Sequence, residues 1–287
     1  KEDRFELEGD IRHSELIVEQ LGLQKAKPVT TPAVKRSRSE AEEDRHSPKL
    51  SSADTLLYRS VTMRAVYLSQ DRQDITEATK NLSREMKEPS EASMRDLKRL
   101  GRYLKHRPRL DAVFQAQRMP KTLQSYGDSD HAGCLKTRRS TTGVGVMLGS
   151  HLLKTYSQVQ STISLSSGES EYCAMLKASA TGLALRAMLE DWSIQLKLQV
   201  LSDSSAARGL VARRGLGKAR HIQTRYLWLQ ERVSEKDLQV ISVPTSVNIA
   251  DSFTKSLTDQ RILELLALMN LEFRDGRADT AKRLIQR

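Results

Sequence analysis

A change of pattern near residue 110 most constrains what this chain can fold into. Before it, apolar residues recur at helical spacing. The next four short segments are typical of strands: 110–116, 122–128, 143–148 and 152–156. A long helical pattern at 167–192 then precedes two more strand-like segments, 196–202 and 238–243, which are separated by helices. Strands that are first consecutive and then alternate with helices predict a mixed α/β sheet, part antiparallel and part parallel, with helices packed on it.

The region before this change is predicted to be helical. Three apolar stripes at helical spacing lie between residues 54 and 106: Leu57, Val61, Ala65 and Leu68; Ile75, Thr79, Leu82 and Met86; Met94, Leu97, Leu100 and Leu104. A shorter helix ends the first 23 residues, with Asp10 as its N-cap and Gly22 as its stop. Stripes of this spacing face a core by default, so we assign no chemistry to this helical part.

Residues 24–53 differ in composition from both neighbours. They contain prolines, a Lys-Arg-Ser-Arg-Ser run and an acidic run, with very few apolar residues. We therefore expect a flexible, solvated linker. The basic run also has the composition of a nuclear-localisation signal, but such runs are common and the solvated loop is the favoured interpretation. After residue 258 an apolar helical pattern returns and predicts a helical tail over 258–287.

The net charge of +11 and the pI near 9.7 favour a polyanionic partner. Lysine and arginine side chains that neutralise phosphates release counterions and give affinity without sequence preference. Two cysteines, Cys134 and Cys173, are too few for a disulfide framework, and no His/Cys pair has zinc-finger spacing. No apolar run approaches membrane-spanning length, so we expect no membrane partner. The chain has no initiator Met, which suggests a fragment or a piece of a longer polyprotein.

Acidic residues at domain-scale intervals are the strongest chemical signal. Asp128 lies in Tyr-Gly-Asp-Ser-Asp, Glu171 in Gly-Glu-Ser-Glu-Tyr, Asp203 in Val-Leu-Ser-Asp-Ser, and Asp251 in Asn-Ile-Ala-Asp-Ser. Three of these acids lie at the end of a strand-like run or in the first turn of a helix. Converging carboxylates form a hard-oxygen site for two divalent metal ions, suited to in-line attack on a phosphodiester. By itself, an Asp-Ser-Asp turn is more often a solvated loop.

Spacing alone leaves alternatives open at each position. Asp130 follows Asp128 by two residues and points to the same face of an extended strand. Glu169 and Glu171 are separated by about 200° around a helix, so they face different directions. Asp203 has an alternative role as the N-cap of the helix that follows it. Asp259 also lies near the C-terminal side and competes with Asp251.

Six sequence blocks follow one another between residues 120 and 257. They are Asp128-Ser129-Asp130-His131-Ala132-Gly133, Arg138-Arg139-Ser140-Thr141-Thr142-Gly143, Gln160-Ser161-Thr162, Leu165-Ser166-Ser167-Gly168-Glu169-Ser170-Glu171-Tyr172, Arg220-His221-Ile222 with Arg225-Tyr226, and Val243-Pro244-Thr245 through Ala250-Asp251-Ser252-Phe253-Thr254-Lys255. In this order they resemble the blocks of the ribonuclease H domain of copia-type LTR-retrotransposon Pol polyproteins.

Weaker blocks upstream resemble the C-terminal end of the reverse transcriptase of the same polyproteins. They include Tyr58-Arg59-Ser60 and Leu100-Gly101-Arg102-Tyr103-Leu104-Lys105. The polymerase motif Tyr-x-Asp-Asp is absent from the sequence, so we do not expect this chain to polymerise by itself. The resemblance implies five parts: the end of the upstream polymerase region (1–23), the flexible linker (24–53), a helical reverse-transcriptase connection region (54–108), the ribonuclease H domain (109–257) and the helical tail (258–287).

The resemblance implies a ribonuclease H-like fold, a five-stranded mixed sheet flanked by helices, and metal-dependent cleavage of the RNA strand of RNA·DNA hybrids during reverse transcription. Carried over by position, the catalytic and metal-binding residues are Asp128, Glu171, Asp203 and Asp251. The implied cofactor is a pair of Mg²⁺ ions, or Mn²⁺ in their place. The candidates for nucleic-acid contact are Arg138, Arg139, Arg220 and His221. Besides the hybrid, the implied partners are the reverse transcriptase and integrase of the polyprotein, in a cytoplasmic virus-like particle or the nucleus.

Two features depart from enzymes of this fold. Cellular members carry a His in the loop before the last acid, whereas residues 244–250 contain none. His131 replaces the usual aromatic residue of the first block. Neither change removes a metal ligand. Two alternatives stay open: a degenerate, non-catalytic nucleic-acid-binding remnant, and a DNA-directed nuclease of the same fold.

Overall fold

A computed structural model describes residues 3–215 and 227–282 of the protein. The chain divides into two compact units. The larger unit is built on residues 114–255, with short pieces from 1–4 and 268–270. The smaller unit combines residues 5–113 with 256–267 and the segment from 271 onward. Within the described residues, no helix is long and apolar enough to cross a membrane.

The described helices are α1 (Ile11–Gln20), α2 (Arg38–Arg45), α3 (Ser52–Leu68), α4 (Thr76–Arg84), α5 (Glu91–His106), α6 (Ser167–Asp191), α7 (Ser205–Val211), α8 (Trp228–Ser234) and α9 (Asp259–Leu268). The described strands are β1 (Arg4–Glu8), β2 (Arg109–Gln115), β3 (Thr122–Asp130), β4 (Thr141–Leu148), β5 (His151–Val159), β6 (Lys197–Ser202), β7 (Leu238–Ser242) and β8 (Leu271–Arg274). Short 3₁₀ segments span Gln73–Ile75, Thr245–Val247 and Ile249–Phe253. The predicted helices between 54 and 106, the long helix near 167–192 and all six predicted strands are confirmed.

The larger unit contains a five-stranded sheet in the order β5-β4-β3-β6-β7. β3 and β5 each pair antiparallel with β4, whereas β6 runs parallel to both β3 and β7. The consecutive strands thus form the antiparallel part, and the strands that follow a helix form the parallel part, because a parallel connection needs a crossover. This is the mixed sheet of the ribonuclease H-like fold expected from the sequence.

Strand β4 is buried on both faces because different elements cover them. Val144 and Val146 pack in the apolar core with Tyr172 and Met175 of α6. The alternate residues are glycines that face the segment Ile249–Phe253. A Cβ built on Gly143 would lie 2.5 Å from the carbonyl oxygen of Ala250. The two glycines, Gly143 and Gly145, therefore let this segment lie directly against the sheet.

We predict that Gly143→Ala lowers the free energy of unfolding by about 1–3 kcal/mol, the usual cost of forcing an extra methyl into a packed site. Gly209→Ala is the matched control, because a Cβ at this helical position meets nothing within 4 Å. That substitution should raise stability by about 0.5–1 kcal/mol through the loss of glycine's extra backbone freedom. Urea unfolding of the two variants and the wild type measures both effects. Equal stabilities of the two variants would contradict the close packing at Gly143.

The smaller unit has its own apolar core. Helices α1, α3, α4 and α5 pack around fully buried side chains that include Ile17 of α1, Tyr58 of α3 and Leu97 of α5, with Ile75 just before α4. The Tyr58 hydroxyl donates a hydrogen bond to the Leu82 carbonyl at 2.8 Å, so its polar end is satisfied inside the core. Residues from the first 23 positions thus share a core with the helices predicted over 54–106.

Residues 24–53, expected to be a flexible linker, contain helix α2 and are held against α5. Ser37 and Glu40 form a capping box at the start of α2. Asp44 accepts ion-pair contacts from Arg36 at 2.7 Å and from Arg95 of α5 at 2.6 Å. Three further basic side chains of α5 donate to residues 26–31: Arg99 to Thr31, Arg102 to the Lys27 carbonyl and Lys105 to the Ala26 carbonyl. Polar caps and ion pairs order this segment, and neither follows from apolar periodicity.

The predicted strand 110–116 exists as β2, but it belongs to a second sheet. The order of this three-stranded sheet is β1-β2-β8, and β2 pairs antiparallel with β8. Neither β1 nor β8 was expected, since the sequence predicts only helices in the first 23 residues and in the tail. Strand β1 is largely exposed, so it lacks the alternating pattern that marks a half-buried strand.

Candidate active site

Three of the predicted acids converge at one end of the five-stranded sheet. Asp128 lies near the end of β3, Asp203 directly follows β6, and Glu171 lies near the N-terminal end of α6. One carboxylate oxygen from each lies within 4.8 Å of the other two. β3 and β6 are parallel neighbours, so their C-terminal ends meet at the same edge. We call this set the three-carboxylate group.

Asp128 is buried and points toward the segment that carries Asp251. Its cross-strand partner is Gly143, which shares its face of the sheet. The Thr254 hydroxyl donates a hydrogen bond of 2.6 Å to its Oδ2. Burial, reinforced by the negative charge of Asp251, raises the pKa of Asp128 to about 6, and the bond from Thr254 only partly opposes this.

Glu171 is the most strongly perturbed acid of the site. Burial raises its pKa to about 9, and the negative charges of Asp128 and Asp203 add to the shift. Its Oε2 is buried and has no hydrogen-bond partner among the described residues. A buried oxygen without a donor costs free energy unless a cation or a proton satisfies it. The three-carboxylate group therefore offers only oxygen ligands, which are the hard ligands that Mg²⁺ and Mn²⁺ accept.

Asp203 is held by neutral donors. The Thr245 hydroxyl donates to its Oδ2 at 2.6 Å, and the Asn248 amide lies 3.4 Å from its Oδ1. These contacts orient the carboxylate without cancelling its charge. Asp203 is not the N-cap of α7. The adjacent Ser204 has that role, because its hydroxyl accepts a hydrogen bond from the Ala207 N–H.

Asp251 lies on the 3₁₀ segment Ile249–Phe253 and is only 3% exposed. It is outside the three-carboxylate group, but its charge contributes to the raised pKa values of both Asp128 and Glu171. Its Oδ1 pairs with the Lys255 ammonium at 2.7 Å. Burial lowers the pKa of Lys255, yet the bond to Asp251 and the nearby carboxylates outweigh burial and raise it.

The three rival acids have other contacts. Asp130 accepts a hydrogen bond from the Thr141 backbone N–H, and its carboxyl fills the space beside Gly133 in the turn after β3. Glu169 accepts from the Leu165 N–H at 2.7 Å, just before α6 begins. Asp259 opens α9 and lies 3.9 Å from Arg107. Within the described residues, none of the three joins the three-carboxylate group.

Gln160 connects elements around the site, although no role is predicted for it from the sequence. Its buried amide donates to the Ser170 carbonyl at 2.9 Å and to the Thr142 hydroxyl at 3.0 Å. Its carbonyl accepts from Ser164 at 3.0 Å. These bonds connect β4 to the start of α6, one residue before Glu171. The block Gln160-Ser161-Thr162 was the sequence feature that could have indicated this role. A position within a block, however, does not reveal which hydrogen bonds a side chain makes.

The candidate nucleic-acid contacts are only partly within the described residues. Arg138 and Arg139 are exposed in the connection between β3 and β4, where Arg138 has a positive φ of 57°. Arg220 and His221 lie outside the described residues, as do Ile222 and Tyr226 of the predicted helix. The segment without a His, residues 244–250, supplies Thr245 and Asn248 to Asp203 instead.

Comparisons with known proteins find relatives among transposon polyproteins. The retrovirus-related Pol polyprotein from transposon RE1 of Arabidopsis thaliana is 31% identical over 242 residues, covering 81% of this chain and 16% of the relative. The uncharacterized mitochondrial protein AtMg00810 of the same plant is 32% identical over 173 residues, covering 59% of this chain and 68% of that protein. Homologues of this chain thus include retrovirus-related Pol polyproteins of plant transposons.

The chain spans 16% to 18% of the length of the curated transposon Pol polyproteins that it matches. No family model matches it. Among solved structures, LC11-RNase H1 in complex with an RNA/DNA hybrid is similar over 46% of this chain and 94% of that chain, with 17% identity and a TM-score of 0.32.

The raised pKa of Glu171 predicts how stability depends on pH in metal-free protein. Because the folded pKa of about 9 exceeds the ordinary value of 4.5, this group stabilises the fold fully below pH 4.5 and less as pH rises toward 9. Glu171→Gln stays neutral, so its stability should fall less over that window. Urea unfolding in EDTA at both ends of the window measures this. Glu43→Gln, at an exposed position on α2, is the control and should keep the wild-type slope.

Proposed function

We propose that this chain is a metal-dependent endonuclease that hydrolyses the RNA strand of RNA·DNA hybrids. The observation that carries the proposal is the convergence of Asp128, Glu171 and Asp203 within 4.8 Å at the edge of a ribonuclease H-like sheet. The order of the sequence blocks supports the same activity.

The four acids would hold two divalent ions. Asp128, Glu171 and Asp203 form one ligand set, and Asp251 with Asp128 would complete a second. When bound, Mg²⁺ would supply an activated water and neutralise charge on the phosphodiester oxygens. The donor set fits, because it is oxygen-only and includes a buried carboxylate oxygen of Glu171 without a partner in the described part of the chain.

Neutral hydroxyl and amide groups orient these ligands. Thr254 fixes one oxygen of Asp128 and leaves the other to coordinate, while Thr245 and Asn248 hold Asp203. Second-layer donors of this kind set the direction of ligand oxygens. Because burial raises the pKa of Glu171 to about 9, binding of a cation near neutral pH should release a proton from this group.

Substrate contact is assigned to the basic residues of the larger unit. We include Arg138 and Arg139, which are exposed, and Arg220 and His221, which lie outside the described residues. Phosphate contacts give affinity without sequence preference, and 2′-hydroxyl contacts in the shallow minor groove distinguish RNA from DNA. Sequence preference is therefore weak in this proposal.

The proposed setting is reverse transcription within a longer Pol polyprotein. The blocks of the smaller unit resemble the C-terminal end of a reverse transcriptase, and we assign that unit to it. Reverse transcriptase and integrase are then the proposed protein partners, in a virus-like particle or the nucleus.

Cleavage of an end-labelled RNA strand tests the proposal. We expect cleavage of the hybrid, but not of duplex RNA or single-stranded RNA, in Mg²⁺ or Mn²⁺ and none in EDTA. Asp203→Asn and Glu171→Gln should abolish cleavage because each removes a charged ligand. Glu169→Gln is the matched control, two residues from Glu171 on the same helix, and should remain active.

Two outcomes would contradict the proposal. A folded wild type that binds the hybrid without cleaving it would indicate a non-catalytic nucleic-acid-binding remnant. Cleavage of duplex DNA in preference to the hybrid would indicate a DNA-directed nuclease.

The hydroxyl of Thr254 gives a further prediction. Thr254→Val keeps the side-chain shape but removes the donor to Asp128, so activity and metal affinity should each fall about 10–100-fold. Thr181→Val is the control, since Thr181 lies on α6 ten residues beyond Glu171 and its hydroxyl donates to the Lys177 carbonyl of the same helix. Titration calorimetry with Mn²⁺ and the cleavage assay measure the two effects. Unchanged metal affinity in Thr254→Val would exclude an orienting role.

A further inference from the structure

Lys255 places a positive charge inside the acidic site. Its ammonium lies 2.7 Å from Oδ1 of Asp251, four residues earlier in the chain, and the charges of Asp128 and Asp203 also act on it. Asp251 is only 5% exposed at its side chain, whereas the Lys255 side chain is 46% exposed. One end of this ion pair is therefore fixed in the protein, and the other can reach solvent.

Because Asp251 is paired with Lys255, the four carboxylates are not equally available to a divalent ion. The oxygens of Asp128, Glu171 and Asp203 already lie within 4.8 Å of one another, so one cation position exists without rearrangement. Asp251 directs Oδ1 at the lysine instead. A divalent ion that uses this oxygen has to displace the ammonium or remain next to a like charge, and both are unfavourable.

We propose that the Lys255 ammonium is a built-in cation that holds Asp251 in the metal-free protein and competes with the second divalent ion. This inference rests on the proposed nuclease function. Lys255 acts through Asp251, so it is a positioning residue. The first ion then binds to the three-carboxylate group, and the second binds more weakly because it must release Lys255 from Asp251.

The chemistry of lysine suits this role. The ammonium ends a flexible four-carbon stem, and with the side chain half exposed it can move into water without a change in the backbone. Arginine would hold both carboxylate oxygens through a planar fork and give them up less readily. Lys255→Arg should therefore weaken binding of the second ion, and Lys255→Met should strengthen it.

Titration calorimetry of the full chain with Mn²⁺ alone tests the order of these affinities. We expect the second dissociation constant to fall by about tenfold or more in Lys255→Met, the scale for removing an adjacent unit charge from a partly exposed site. Lys121→Met is the matched control. It removes the same charge from an exposed residue just before β3, about 20 Å from Asp128 at the rise of an extended strand.

Stability and labelling provide independent readouts. Metal-free Lys255→Met should be less stable than Lys121→Met, because Asp251 loses its counter-charge, and it should gain more stability from Mn²⁺. In the wild type, saturating Mn²⁺ should increase acetylation of Lys255 but not of Lys121, as measured by peptide mass spectrometry. The labelling needs no variant, so it decides the question even if Lys255→Met fails to fold.

The outcomes separate this inference from the proposed function. Two ions bound equally well by wild type and Lys255→Met, or unchanged labelling of Lys255, would overturn the role of Lys255 and leave the nuclease proposal intact. Weaker second-ion binding in Lys255→Met would also overturn it, since the lysine would then assist the ion. A wild type that binds no divalent ion would overturn both.

Discussion

Mutual repulsion among buried carboxylates is the constraint on which the larger unit depends. Asp128 and Asp251 are 4% and 3% exposed, and Glu171 keeps a buried oxygen without a donor in the described part of the chain. The negative charges of Asp251 and Asp203 add to burial in raising the pKa values of Asp128 and Glu171, so protons or cations are needed to stabilise the cluster. The surrounding donors fit this requirement. Threonine hydroxyls and an asparagine amide orient Asp128 and Asp203, and the Lys255 ammonium places a positive charge beside Asp251.

The fold brings these acids together by ordinary packing rules. Parallel pairing of β3 with β6 places Asp128 and Asp203 at one edge of the sheet, and α6 packs across β3 and β4 so that Glu171 reaches the same edge. The fourth acid, Asp251, lies on the short 3₁₀ segment Ile249–Phe253. It can lie against β4 only because Gly143 and Gly145 leave room for it. Two glycines thus matter to the site although neither carries chemistry.

Periodicity predicted the elements of the larger sheet because strands such as β4 and β6 are mostly buried and rich in apolar residues. It could not separate Asp128 from Asp130, since both face the same side of a strand; the turn at Gly133, which engages the Asp130 carboxyl, makes the difference. It missed α2, β1 and β8 because caps, ion pairs and pairing between distant residues stabilise them. Resemblance located the block that contains Thr254 and Lys255, but their roles follow only from the atoms that they contact.

The three-stranded sheet has a consequence for how the chain folds. Its central strand β2 comes before the larger unit in the sequence, and its partner β8 comes after it. During synthesis the smaller unit therefore cannot complete its sheet until the whole of the larger unit has been made. Prior folding of the larger unit shortens the effective loop between β2 and β8 and reduces the entropy lost when they pair. Folding of the larger unit would in this way promote folding of the smaller unit, whose two parts lie on either side of it in the sequence.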